Sequence, residues 1–333
     1  MTDRNIENEQ YHAPIIIHQN QLGLGMGIQL LPALLDLKNR IKNRIIICTY
    51  KNQAEIFEPF FDRKNLYFFK EEKLKEGEFV TDPIFNNRHE LVFNYGVSDT
   101  IHQPYTCHAV DYYFRLFHPY YADIAIPMEK KNYPKLPETD ISKFDIPENA
   151  IALGITSTKP SCQITPNIYE FIENYLIKNN YTPVYLGELE SKNLIMPDKT
   201  IHKLNVTNQF YPHKGINLIG KTSITEMTTI ISKSKCYIGP EGGLMHFCGM
   251  TDTPMIIPFT SMSPKTRMPY RNNELGYNVY PIIPDIDCKF CITRTVHAKA
   301  NLNVMQECYF NDFKCLNIPI GKFKEQIDKV LYA

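Results

Sequence analysis

Lys235-Cys236-Tyr237-Ile238-Gly239-Pro240-Glu241-Gly242-Gly243-Leu244-Met245-His246 has the pattern of a strand, a glycine motif and a helix start. An apolar run ends in glycine, a short turn follows, and a helix is expected to begin near Leu244. Gly242 and Gly243 let backbone approach an anion closely, and a helix starting there offers N–H groups without intrahelical partners. Glu241 stands at the turn, where a carboxylate fixes loop geometry or meets a hydroxyl. His246, in the helix's first turn, either donates to a phosphate oxygen or packs as a satisfied histidine. A plain strand-to-helix turn uses the same glycines, so the surrounding chain has to decide.

Outward from that stretch the strand–helix rhythm continues in both directions. Pro254-Met255-Ile256-Ile257-Pro258 is the next strand, and residues 223–234 form the preceding helix. Pro183-Val184-Tyr185-Leu186-Gly187 and Ile151-Ala152-Leu153-Gly154-Ile155 read as strands, separated by a helix over 166–178 with proline in its first turn. Residues 127–147 turn to Pro, Lys, Glu and Asp with little periodicity, as a linker does. Before them, Pro14-Ile15-Ile16-Ile17-His18, a glycine turn Gly23-Leu24-Gly25-Met26-Gly27, a helix over 28–41 and Arg44-Ile45-Ile46-Ile47-Cys48 make a parallel βαβ unit. Leu91-Val92-Phe93-Asn94-Tyr95 is a further strand, residues 108–117 an aromatic-rich helix, and residues 320–331 an amphipathic closing helix. The expected architecture is α/β, with two Rossmann-like domains facing a cleft: an N-terminal domain over 1–130, a linker over 131–149, a C-terminal domain over 150–318 and a final helix over 319–333.

Composition narrows the function classes. The 333 residues fit two ordinary domains, and 43% hydrophobic with 22% charged residues is a globular balance. Lys+Arg and Asp+Glu both number 36, so no net field selects a polyanion, and a nucleic-acid partner is disfavoured. The first twelve residues lack the order of a signal peptide, and no run approaches the roughly 20 apolar residues that cross a bilayer. A cytoplasmic protein is expected, and nine mostly scattered cysteines suit a reducing compartment.

Asn217-Leu218-Ile219-Gly220-Lys221-Thr222-Ser223-Ile224-Thr225-Glu226, the stretch 236–246 and Thr253-Pro254 together resemble glycosyltransferase family 9, the ADP-heptose:lipopolysaccharide heptosyltransferases. Weaker similarities follow in the right order over most of the chain: Gly23-Leu24-Gly25 with Leu31-Pro32-Ala33-Leu34, His108-Ala109-Val110-Asp111, residues 154–159, and Leu186-Gly187-Glu188-Leu189-Glu190. The resemblance implies a GT-B fold, with the acceptor side N-terminal and the nucleotide sugar C-terminal. It implies that Thr156, Ser157 and Lys159 meet the donor diphosphate, and that Glu190 contacts the ribose. Lys221 joins the donor side, Glu241, Gly242, Gly243 and Leu244 wrap the phosphates, and His246 sits behind them. The donor is then a nucleotide-diphosphate sugar, and the acceptor a hydroxyl of a glycan or another molecule, a hydroxylated nucleobase included. Such transfer requires no metal, since amides, a helix end and Lys159 can stabilise the departing nucleotide.

The chain departs from the pattern at two places. Where the family carries Gly-Asp after its N-terminal glycine loop, this sequence has Gly25-Met26 on the acceptor-side loop that starts at Gly23. A thioether cannot take a proton from a hydroxyl, so the expected base is missing, and Asp99 and His102 are the candidates to replace it. The family's aspartate in the donor motif is Glu241 here, which keeps the charge. A silent sugar-nucleotide-binding protein and a sugar-nucleotide epimerase on the same scaffold are the competing readings. Cys288, Cys291, Cys308 and Cys315 form a separate cluster. The Cys-x2-Cys pair can turn two thiolates toward one structural zinc, while free thiols or disulfides fit the spacing too.

Overall fold

In the computed structural model the described residues are 15–18, 24–42, 44–49, 53–68, 91–94, 107–117, 125–157, 159–188, 192–195, 201–204, 212–291, 308 and 312–332. Gly23, Asp99, His102 and Glu190 lie outside them. The first sheet holds β1 (Ile15–His18), β2 (Ile45–Thr49), β3 (Leu66–Phe68) and β4 (Leu91–Asn94) in the order β3-β2-β1-β4. The second builds on β5 (Ala150–Gly154) and β6 (Thr182–Leu186). After a hairpin of β7 (Lys192–Ile195) and β8 (Ile201–Leu204) it continues with β9 (Ile216–Asn217), β10 (Tyr237–Ile238) and β11 (Met255–Pro258). A short hairpin, β12 (Tyr270–Arg271) with β13 (Glu274–Leu275), precedes the last strand, β14 (Val279–Ile282).

Every pairing within these two sheets is parallel. The second sheet runs β14-β11-β10-β5-β6-β9. Counted from its own first strand, that is the doubly wound dinucleotide-fold order, and the first sheet matches its first four strands. Strand order therefore reverses between β1 and β4 in one sheet and between β5 and β10 in the other. These are the crevices where open parallel sheets hold ligands.

The helices are α1 (Leu24–Arg40), α2 (Ala54–Phe57), α3 (Ala109–Leu116), α4 (Met128–Lys131), α5 (Pro166–Lys178), α6 (Ile224–Lys233), α7 (Gly243–Gly249), α8 (Pro264–Arg267) and α9 (Ile320–Leu331). Pro166 stands in the first turn of α5, where its missing N–H goes unused, and Ile168, Ile172 and Leu176 line its buried face. Ser223 and Glu226 close a capping box on α6: the Ser223 hydroxyl accepts from the Glu226 N–H at 3.1 Å, and the Glu226 carboxylate from the Ser223 N–H at 2.8 Å. Alternation along β5 shows why both faces are covered. Ile151 and Leu153 pack with α5 and α9, while Ala150 and Ala152 belong to a cluster that runs through α6 and α7 into α1 and α3.

The expected glycine turn before α1 is different in the structure. The helix begins at Leu24, four residues earlier than periodicity suggests, so Gly25 and Gly27 are helical. Their lack of a side chain serves close packing. A Cβ on Gly25 would lie 2.6 Å from the His246 ring, and one on Gly27 would lie 3.4 Å from both Ile56 and Phe57.

Between the sheets, the stretch read as a linker is fixed at several points. Tyr133 and Leu136 are buried, and the Tyr133 N–H donates to the Tyr270 carbonyl at 2.9 Å. His108 caps α3, its Nδ1 accepting from the Val110 N–H at 3.1 Å, while Nε2 meets the Met268 carbonyl at 2.7 Å. Burial, the largest influence, lowers its pKa from 6.5 to about 4. The folded protein thus keeps His108 neutral where the unfolded chain would bind a proton. Stability associated with this residue is full above pH 6.5, drains as pH falls below that, and is fully lost near pH 4. At pH 5 the loss is expected to be about 2 kcal/mol. Chemical denaturation between pH 7 and pH 4.5 checks this: His108→Asn, which can still cap the helix but does not titrate, should show a shallower decline than the unaltered chain.

Candidate functional site

The two reversal points meet. Gly243, at the start of α7, points toward the first turn of α1, where a Cβ on it would find Gly25 N and Leu24 Cβ at 3.9 Å. A Cβ on Gly242 would meet Ser157 Oγ at 3.9 Å. The backbone of this turn is therefore uncrowded on the side facing the loop after β5 and the head of α1. Ser157 binds that loop to the glycine turn. Its hydroxyl receives the Lys159 N–H at 3.3 Å and lies 3.5 Å from the Glu241 carbonyl.

Two further glycines bring the crevice together. Tyr237 is fully buried, and its ring passes over Gly154 and Gly239, which close β5 and follow β10. A Cβ at Gly154 would sit 2.1 Å from the Tyr237 hydroxyl, and one at Gly239 would sit 2.3 Å from it. Only hydrogen fits at either place.

Glu241 is a charge hub rather than a group open to a substrate hydroxyl. Its side chain is 1% exposed; Oε1 accepts from Arg267 Nε at 2.8 Å, and Oε2 lies 3.7 Å from Lys159 Nζ. The Cys162 thiol donates to Oε2 at 3.4 Å. Burial by itself would raise the carboxyl pKa, but the Lys159 and Arg267 charges outweigh it and hold the group well below the usual carboxylate range. Glu241 is thus an anion that fixes two cations beside the glycine turn. Cys162 is affected the other way, pushed up to about 11 by burial and then by the Glu241 charge, so it remains a thiol.

His246 is buried behind the turn. Its Nδ1 meets the Tyr133 hydroxyl at 3.0 Å, and Nε2 has no hydrogen-bond partner among the described residues. Burial, and next the Arg267 charge, push its pKa well below 6.5, so the ring is neutral. With Gly25 against its edge, the imidazole joins α1, the segment around Tyr133 and α7 into one seam.

The other expected site residues are more dispersed. Thr156 Oγ1 accepts from the Glu188 N–H at 3.4 Å and closes the mouth of β5 against β6. Lys221 is exposed, and its ammonium donates to the Asn217 carbonyl at 2.8 Å within its own loop. Met26 is half-buried and packs on the core, and Leu244 is likewise half-buried in α7. Arg267 and Tyr133 are the residues that motif reading missed. Arg267 had one available signal, a Ser-Pro helix start just past the end of β11, followed by basic residues.

The cysteine cluster gathers without forming a ligand set. Cys315 is buried, its thiol 3.9 Å from the Ser161 carbonyl, and its pKa is raised to about 12 by burial and then by Cys291, Cys308, Cys162 and Cys288. Among the described residues no group of three or more His, Cys, Asp or Glu side chains could hold a metal ion, so the zinc expectation finds no support in this arrangement. Nor is any described helix long and apolar enough to cross a membrane.

Two Rossmann-like domains whose reversal points face one another across a glycine turn define the GT-B architecture of glycosyltransferases. A family model described as glycosyltransferase family 9 (heptosyltransferase) matches residues 86–281, more than half of the chain, and the chain belongs to that family. A curated relative, the lipopolysaccharide core heptosyltransferase OpsX of Haemophilus influenzae, is 22% identical over 250 residues, covering 74% of this chain and 65%, just under two thirds, of the relative. A solved family 9 glycosyl transferase from Veillonella parvula superposes with TM-score 0.65 at 13% identity, over 96% of this chain and 98% of that one. The iron-containing dodecameric glycosyltransferase TibC of enterotoxigenic E. coli gives 0.62 at 13% identity, over 96% and 76%, and has also been solved with ADP-D-beta-D-heptose.

Proposed function

We propose that this chain transfers a sugar from a nucleoside-diphosphate donor to a hydroxyl of a glycan or similar acceptor, with inversion at the anomeric carbon. The observation that carries the reading is the meeting of the two reversal points. Lys159 and the uncrowded Gly242–Gly243 backbone lie on one side, and the head of α1 on the other. In this reading the amides of the 241–244 turn and the Lys159 ammonium take the diphosphate, and they stabilise the charge that develops as the glycosidic bond to phosphate breaks. Protein groups meet that charge, so the scheme calls for no metal. The acceptor enters from the first domain, and its proton is assigned to Asp99 or His102, which follow β4 in sequence. ADP-heptose is the first donor to try, because TibC is described with it.

The test is donor turnover: release of nucleoside diphosphate from ADP-heptose and from UDP- and GDP-sugars, each with a panel of hydroxyl acceptors. Lys159→Met is expected to lower kcat/KM for the active donor about a hundredfold, chiefly through the loss of a charge that acts on the leaving group. Met26 favours a second reading, a protein that binds the donor without turning it over, because this half-buried thioether stands where the family carries its carboxylate. Tight donor binding with no nucleotide release from any acceptor mixture would decide for that reading.

A further inference from the structure

Two arginines lie close together in sequence and are used in opposite ways. Arg271 is buried among main-chain oxygens: Nη1 donates to the Thr251 and Thr253 carbonyls at 3.0 and 2.9 Å, and Nη2 to Tyr277 O. It thereby clamps the loop between α7 and β11 to the segment that follows β13. Arg267 instead sits past the carboxyl end of β11, at the end of α8, and its Nε contacts Glu241.

The surroundings of Arg267 point toward the crevice. Glu241 receives it on one oxygen and Lys159 on the other, so cations from the loops after β5 and β11 converge on the loop after β10. Their side chains are 13% and 24% exposed, whereas the carboxylate between them is 1% exposed. The Arg267 charge acts on His108, Tyr113, Tyr133 and His246, groups that burial keeps neutral. It thus lies in the seam where the two domains meet.

We propose that Arg267 is a second ligand of the donor diphosphate, working with Lys159 on either side of the Gly242–Gly243 turn, with Glu241 as the positioning residue that aims both. This rests on the donor-binding reading above and adds to it the cation that none of the sequence motifs contains. A guanidinium suits the role. Its N–H groups form a planar fork that matches phosphate oxygens, and Glu241 anchors it through Nε. Lys159 supplies a point charge to the same group, so the two cations divide the work: Arg267 orients the diphosphate and Lys159 neutralises it.

Calorimetry on the full chain tests this, with ADP, UDP, GDP and CDP and the matching monophosphates, on the unaltered protein, Arg267→Met and Arg267→Lys. For whichever diphosphate binds, Arg267→Met should weaken affinity about tenfold to a hundredfold, and Arg267→Lys by less. The matching monophosphate should be affected far less than the diphosphate. Should Arg267→Met fail to fold, Arg267→Lys reads the same selective loss. Unchanged diphosphate affinity, or an equal loss for monophosphate and diphosphate, would overturn the assignment of Arg267 and leave the donor-binding reading standing. No binding of any diphosphate to the unaltered chain would overturn both.

Discussion

Glu241→Gln is expected to cost about 3 kcal/mol of stability and to lower donor turnover about a hundredfold, while Glu241→Asp keeps much of both. The carboxylate is the buried member of a three-charge cluster, and taking away its charge leaves Lys159 and Arg267 facing each other without their shared anion. Removing one partner of a buried pair typically costs about 3–5 kcal/mol, and the lower end applies because both cations retain some access to water. The effect on turnover arises from aim, since neither cation is then held beside the glycine turn. Urea denaturation and steady-state kinetics on the two variants check this. Equal behaviour of Gln and Asp would mean that charge at 241 does not organise the site.

Gly154→Ala should be a strongly damaging single-methyl addition in the second domain, lowering stability by about 3 kcal/mol. The new Cβ would fall 2.1 Å from the Tyr237 hydroxyl and 2.8 Å from Cζ, and the ring has little room to move because it is fully buried and also packs against Gly239. The Tyr237 hydroxyl has no hydrogen-bond partner among the described residues, so Tyr237→Phe alone should change stability little. Combined with Gly154→Ala it should recover part of the loss. Thermal and urea unfolding of the two single variants and the double variant give the coupling directly. An additive double variant would contradict the packing described for β5 and β10.

Local pattern made much of this fold legible. The apolar β-branched runs at 15–17, 45–47, 151–155 and 255–257 became strands, and the helices at 166–178 and 224–233 carry their own start signals, Pro166 and the Ser223–Glu226 box. Local pattern was insufficient where packing reverses a propensity. Gly25 and Gly27 read as a turn because glycine is a poor helix former, yet α1 runs through them: only hydrogen fits between Gly25 and His246, and Gly27 packs closely on Ile56 and Phe57. The two-residue strands β9 and β10 exist through their neighbours, and no short window could delimit them. Within the candidate site, the glycine turn and Lys159 were visible as motifs. The role of Glu241 was not, because it depends on Arg267, 26 residues on, and on Lys159, which reaches it from the loop after β5.

In the proposed transfer the backbone of the 241–244 turn takes the donor diphosphate. With the chain's 15 glycines labelled with nitrogen-15, titration with the best-binding nucleoside diphosphate reads that backbone directly. The Gly242 and Gly243 amide signals should shift saturably, and Gly321, remote from the turn on α9, should stay in place. If neither Gly242 nor Gly243 moves while the nucleotide demonstrably binds, the diphosphate is held elsewhere and the turn is not the donor site.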